Sequence, residues 1–495
     1  MFLSINMAVF SWLVVLSLLF LCFWKNQRPK DFPPGPWSLP LIGNLLQFSK
    51  RFPLKELDQV RLFILAKKYG PVFSLYLGRT PMVFTHGFPS AEEVLMIQGT
   101  EFAGRVSFPV MDAVTHKKGL LTLKYGEVWK GQRKFSRMLF RNFRLSKRSV
   151  EKKILDETSY LIQAFTDNMS VPFDPYEFLD TAVANVICSI IFGKRFEYDN
   201  RIFRTFLDEI QLPGNPANFQ NSFPVALVRS LPLPHQTILT TAKKIEAFIQ
   251  KEVEEHKMTL TPGEPRDFTD AYLEEMQKKK GSGFEEEQLR ILLFDLFVAG
   301  TETMVATFQW TLLYLVAFPE IQEKCWKEID TVLGSKAILR YEDRKKLPYT
   351  NAVIHEIQRV SNVAPLGIPH TPLTDVQLLG YKIPKVKKKI SQKTSAHHDE
   401  SQWKFPNEFN PSNFLNEEGE FVKPEAFLTF SAGPRACLGE NLARMELFLF
   451  FTSFLRSFQL SWPDKSQAPD LTPHLGVTQF PSRFKLLLKF RQPCE

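Results

Sequence analysis

Apolar positions recur three and four apart in several stretches of this chain, a pattern that predicts amphipathic helices there. The longest helical run spans about Glu285 to Ala317. Another follows Gly439, with Leu442, Leu447, Leu449 and Phe450 along one stripe. Gly126–Arg148 is also helix-forming, and amphipathic segments continue to residue 260. Period-two signals are few. Val72–Leu77 and Met82–Thr85, separated by Gly78 and Pro81, predict a small hairpin. From Gly104 to Tyr125 the pattern is irregular, although Phe108, Met111 and Val114 keep helical spacing. Phe223–Val228 and Leu231–Pro234 form an apolar, proline-broken connection, and Lys278–Glu287 a charged loop.

At the N-terminus the pattern changes. Phe2 to Trp24 carries no charge and at about 1.5 Å per residue spans a bilayer's roughly 30 Å core. Lys25, Arg28 and Lys30 follow, so the positive-inside rule puts the remaining chain in the cytosol. A cleaved signal peptide is the alternative. The long apolar run, the lack of a basic start and the lack of a small-residue cleavage site weigh against it. Pro33-Pro-Gly-Pro36 then acts as a stiff spacer. Residues 1–24 are thus expected as a transmembrane anchor, 25–50 as a basic, proline-rich hinge and 51–495 as one domain, undivided by repeat or low-complexity linker.

With 44% hydrophobic residues and 46 phenylalanines, the chain can fill a large core and still line an apolar pocket. Its net charge of +9 suggests an anionic partner surface, but no nucleic-acid motif accompanies it. Cys22, Cys188, Cys325, Cys437 and Cys494 are scattered and odd in number, which speaks against a disulfide framework.

Cys437 stands within Phe430-Ser-Ala-Gly-Pro-Arg-Ala-Cys-Leu-Gly439, at the start of a helical run. There, unpaired backbone N–H groups and the positive dipole end favour thiolate over thiol. Gly433 and Gly439 permit a turn close to a flat ligand, and Arg435 offers a cation for an acidic group on it. A buried structural cysteine is the commoner fate of a lone Cys.

The full pattern Phe-x-x-Gly-x-Arg-x-Cys-x-Gly resembles the haem-binding loop of the cytochromes P450, the haem-thiolate monooxygenases. The resemblance implies haem b with Cys437 as axial iron ligand, donation tempered by the N–H groups of Leu438 and Gly439, and Pro434 unable to donate. Ala299-Gly-Thr-Glu-Thr303 matches the family's central-helix motif. Gly300 is expected to leave room for a small ligand, and Glu302 and Thr303 to deliver protons to bound dioxygen. A helical Thr bonding back to an earlier carbonyl is the structural alternative. Haem-propionate contacts are implied for Arg105, Trp129, Arg133 and His370. Phe108, Met111, Val114, Phe294, Phe297, Ala299, Val363, Leu366 and Val477 are implied as walls around substrate and cofactor. Glu356-x-x-Arg359 is implied as a buried brace, with Asn413 of Pro411-Ser-Asn-Phe414 in place of a third cation.

The likeness is to microsomal family 2, near its fatty-acid epoxygenase branch. The implied fold is mainly α with a small β region, the P450 fold behind an N-terminal transmembrane helix, on the endoplasmic reticulum. The implied activity is hydroxylation or epoxidation of lipophilic substrates, polyunsaturated fatty acids or xenobiotics, with dioxygen and NADPH-derived electrons. The implied partners are NADPH–cytochrome P450 reductase and cytochrome b5. The cations of Gly126–Arg148, among them Lys130, Lys134, Arg137, Arg141, Arg144, Lys147 and Arg148, would dock the acidic donor. The 223–234 connection would dip into the bilayer. One segment departs from the family. Val386-Lys-Lys-Lys-Ile-Ser-Gln-Lys393 replaces a normally apolar strand, so an edge position with snorkelling lysines is expected unless the sequence is altered there. The lysines from Lys387 to Lys389 leave a haem-binding pseudoenzyme as an alternative, beside a peroxide isomerase, against which Glu302-Thr303 speaks.

Overall fold

The computed structural model describes Trp12 and residues 28–39, 42–44, 59–78, 80–142, 147–169, 171–210, 235–279, 281–334, 338–385, 389–391, 394–464, 466–475 and 478–491. The anchor apart from Trp12, the 223–234 connection and Val477 lie outside the described residues, as do the side chains of Arg141, Arg144, Lys147 and Arg148.

In chain order the helices are α1 (Gln59–Tyr69), α2 (Phe88–Glu92), α3 (Pro109–Thr115), α4 (Glu127–Asn142), α5 (Lys147–Thr166), α6 (Tyr176–Ile191), α7 (Arg201–Ile210), α8 (His235–Thr259), α9 (Phe268–Lys278), α10 (Glu286–Ala317), α11 (Pro319–Leu333), α12 (Pro348–Ser361) and α13 (Glu440–Ser457). The strands are β1 (Val72–Leu77), β2 (Thr80–Thr85), β3 (Gly104–Arg105), β4 (His370–Thr371), β5 (Val376–Leu378), β6 (Tyr381–Ile383), β7 (Lys389–Ser391), β8 (Phe458–Ser461), β9 (Pro473–Leu475), β10 (Gln479–Pro481) and β11 (Leu487–Phe490). Of the expected basic helix-forming stretch, residues 127–142 lie in α4 and residues 147–148 open α5.

α10 is the axis of the core. It is apolar enough to cross a membrane, yet from Met304 to Val316 it is buried inside the protein, with α6 as its chief partner. α6 is itself apolar almost all round and buried over most of its length, as an internal helix must be. α5 packs on α6, and α13 on α5, joining one large cluster that includes Phe165, Phe448 and Phe454.

The main sheet has five strands in the order β1-β2-β7-β4-β3. β1 and β2 form the expected hairpin, Val72 opposite Thr85 through to Leu77 opposite Thr80. β7 runs parallel to β2 and antiparallel to β4, so Lys389–Ser391 occupies the middle of the sheet rather than the expected edge. Lys387, Lys388 and Lys393 lie outside the described residues, and Lys389 opens the strand opposite Met82. A central place requires both sides of the β7 backbone to pair, and Val83 and His370 flank Ile390 to do so.

The proline hinge is clamped to β1. Ser74 donates its N–H to Pro34 O and its hydroxyl to Pro33 O, both at 2.7 Å. Arg28 donates to the carbonyls of Gly35, Pro36 and Ser74, and a Cβ on Gly35 would collide with Ser74 O. The segment thus enters the domain along a fixed line.

Candidate functional site

The cysteine loop is built on the π-helical turn Glu93–Ile97. Gly433 adopts φ +70, and any Cβ there would strike Leu95 O, so the close approach demands glycine. Gly439 differs: its φ is −85 and it heads α13 with room for a Cβ. Cys437 donates its N–H to Phe430 O at 2.9 Å, closing the loop, and its side chain is exposed. Cys188 and Cys325 are by contrast fully buried, and burial pushes both thiols up in pKa. Cys437 is therefore not the buried structural cysteine of the alternative reading.

Three arginines gather beside this loop. Arg435, itself buried, donates to Ala103 O, Leu120 O and Leu123 O at 2.8–3.1 Å and lies 4.2 Å from the Trp129 ring centre. Arg133 donates to Ala436 O at 2.5 Å, and Arg105 to Leu121 O at 3.1 Å. Burial lowers the pKa of all three. Mutual repulsion adds to it, Arg105 and Arg133 acting on Arg435, Arg133 on Arg105, and Arg137 on Arg133. Among the described residues none of the three forms an ion pair with a carboxylate. An anionic group placed among them would relieve both effects.

Arg105 and His370 are opposite one another in the β3–β4 pair, so two contacts 265 positions apart become neighbours. The His370 Nδ1 bonds Phe102 O at 2.8 Å. Trp129 is buried and gives its indole N–H to Leu120 O at 3.1 Å, so it holds the 119–123 loop and stacks on Arg435.

That loop is anchored by a residue not singled out in the sequence. Asp295 of α10 accepts from Leu120 N at 2.6 Å and Leu121 N at 2.9 Å, both on Oδ2. Its Oδ1 is buried and has no hydrogen-bond partner among the described residues. Burial raises its pKa to about 7 against the pull of the two N–H donors. An isolated acid in an apolar helix is the signal that could have found it. A carboxyl with a raised folded pKa stabilises fully below its unfolded value, near about 4, and loses that contribution as pH rises through about 7. Asn can keep the Oδ2 contacts with no charge. Melting curves should therefore show Asp295→Asn gaining on the wild type between about pH 4 and pH 7.

On α10, Ala299 is exposed, and Phe294 and Thr303 are partly so. Phe297 corrects the expectation of a pocket wall: it is fully buried, 6.0 Å from Phe206 and 6.1 Å from Phe248 between ring centres. Gly300 likewise does not open space for a ligand. A Cβ there would lie 3.1 Å from Ile187, so its missing side chain lets α6 approach α10. Thr303 donates back to Ala299 O at 2.8 Å, leaving its oxygen able to accept. Glu302 accepts instead from Thr478, which sequence reasoning missed. Phe108, Met111, Val114, Val363 and Leu366 are each partly exposed.

Glu356 and Arg359 are both fully buried and joined by two 2.7 Å hydrogen bonds. Arg359 also donates to His397 O, Phe405 O, Pro406 O and Glu408 O, while Asn413 Nδ2 and Asn410 N donate to Glu356. Asn413 fills the third place of the brace with a neutral donor.

The cradle of exposed thiol, glycine turn and unmatched arginines fits a flat cofactor bearing acidic groups. Residues 33–488 match the family model described as Cytochrome P450. The chain belongs to the cytochrome P450 family. It is 42% identical over 480 residues to Cytochrome P450 2J2 of Homo sapiens, covering 95% of this chain and 94% of that one. Cytochrome P450 2J5 of Mus musculus is 40% identical over 482 residues (96% and 94% covered), and Cytochrome P450 2C16 of Oryctolagus cuniculus 40% over 476 (95% and 96%). The protein is thus a family-2 haem-thiolate monooxygenase. Cytochromes P450 use haem whose iron is held by a cysteine thiolate, with dioxygen and NADPH-derived electrons, and a microsomal location is typical of these relatives.

Proposed function

We propose that this P450 is a membrane-anchored oxygenase of lipophilic substrates, polyunsaturated fatty acids or xenobiotics, with Cys437 as its iron ligand. The observation that carries the reading is an exposed thiol at a helix start beside three arginines, Arg105, Arg133 and Arg435, with no acidic partner among the described residues. Bound haem would supply dioxygen activation and oxygen insertion. Cys437 would hold the metal as thiolate, with the N–H groups of Leu438 and Gly439 tempering its donation. Arg105, Arg133, Arg435 and His370 would take the cofactor's acidic edge, and Trp129 would keep Arg435 in place. Ala299 would face the oxygen side, and Glu302 and Thr303 would pass protons there. Phe108, Met111, Val114, Phe294, Val363 and Leu366 would supply the apolar walls.

The test is turnover of the haem-loaded enzyme with reductase and NADPH on a panel of polyunsaturated fatty acids and drug-like probes. Oxygenated products of one class are expected, and NADPH-independent peroxide rearrangement would overturn the reading.

The electron donor is proposed to dock on α4. This helix buries Trp129, Gln132, Phe135, Ser136 and Leu139 and exposes Lys130, Lys134 and Arg137, a basic face over the arginine cradle. Lys134→Glu with Arg137→Glu should slow reduction by the acidic reductase about tenfold or more at low salt and flatten its salt dependence. Stopped-flow reduction at several ionic strengths checks this.

A further inference from the structure

Glu302 and Thr303 are adjacent in the motif but turn to different partners. The Glu302 Oε1 accepts a 2.6 Å hydrogen bond from the hydroxyl of Thr478, its only hydrogen-bond donor among the described residues. Thr478 is buried, and its backbone is pinned one residue on. Gln479 donates its N–H to Val363 O at 2.8 Å and accepts the buried Trp310 indole N–H at 2.9 Å. The hydroxyl is therefore held still, and it holds one carboxyl oxygen of Glu302 still.

A hydroxyl donating to a carboxylate favours the ionised form, opposing the burial that raises the Glu302 pKa. Glu302 acts electrostatically on Asp180 and Tyr176 of α6, on which Asp208 of α7 and Arg483 act as well. Burial strengthens the hold of Glu302 on a proton. Thr478 loosens that hold.

We propose that Thr478 is a positioning residue for proton delivery, its hydroxyl setting the orientation of the Glu302 carboxyl and the ease with which it releases a proton. The proposal rests on the reading of Glu302 as proton source.

The test uses the full-length, haem-loaded protein and the variants Thr478→Val, Thr478→Ser, Thr478→Ala and Glu302→Gln. The infrared C=O band lost in Glu302→Gln identifies the carboxyl. In Thr478→Val and Thr478→Ala that band should titrate about one to two pH units higher, the size expected for one hydrogen bond to a charged group. Thr478→Ser should restore the wild-type midpoint. With reductase, NADPH and the panel's best substrate, Thr478→Val should form product about tenfold more slowly, part of the roughly 10²–10⁴-fold a positioned proton donor supplies. The NADPH electrons should instead leave as hydrogen peroxide, two electrons and two protons per dioxygen, with KM little changed. A threonine of merely structural importance would slow turnover without moving the band, so an unmoved band in the Val and Ala variants overturns the proposal. Unchanged product-to-peroxide ratio in Glu302→Gln overturns the underlying reading of Glu302 instead.

Discussion

Cys437→Ser is expected to abolish monooxygenation, reducing product to the background of haem-free protein, while leaving the melting temperature of the domain nearly unchanged. The two outcomes separate because the side chain and backbone of this residue do different things. The backbone N–H closes the loop onto Phe430 O and Gly433 sets its turn against Leu95, neither of which needs sulfur. The side chain is exposed and packs little, so its replacement leaves no cavity. Serine keeps the shape but not the chemistry, since its hydroxyl stays protonated at neutral pH and is a hard ligand where a soft anionic one is needed. The reduced carbon monoxide complex is the direct measurement: the thiolate-type spectrum should disappear. Retention of both that spectrum and product formation would falsify the assignment of Cys437.

Arg359→Ala is expected to have the opposite profile, with loss of the folded domain rather than of one chemical step. Removing the guanidinium strips the fully buried Glu356 carboxylate of its cation and removes a donor from four backbone carbonyls, of which those of Phe405 and Pro406 keep a bond to Asn413 and His398. Breaking one side of such a pair costs about 3–5 kcal/mol, a large part of the roughly 5–15 kcal/mol by which domains are stable. Lysine should not rescue, because one ammonium cannot reproduce a planar fork that reaches both Glu356 oxygens and the carbonyls together. Thermal melts and haem incorporation of Arg359→Ala, Glu356→Ala and the double variant check this. The double variant should be less damaging than the sum of the singles, since both remove the same interaction. Additive losses would mean that the two residues act separately.

Much of this was legible along the chain. The β1–β2 hairpin and the limits of α10 follow from local periodicity, and Glu356-x-x-Arg359 is an i,i+3 pair that any helix brings together. Elsewhere the expectation misled. Phe297, a pocket wall by the family likeness, meets Phe206 and Phe248 in the core. Gly300 looks like space for a ligand but is where α6 presses on α10 through Ile187. Lysines suggested a sheet edge, yet β7 has a neighbour on each side.

By itself, then, the order of residues determined the elements and the chemistry held within a turn or a loop: the cysteine before its helix, the acid and hydroxyl of α10, the basic face of α4. Only tertiary structure decided which distant groups complete them. It brought Thr478 to Glu302, Asp295 to the 119–123 loop, and Arg105 opposite His370. The physical reason is one of range. Backbone geometry fixes neighbours within about a turn, whereas contacts across 100 residues or more arise from burying apolar faces against one another, which no spacing of residues encodes.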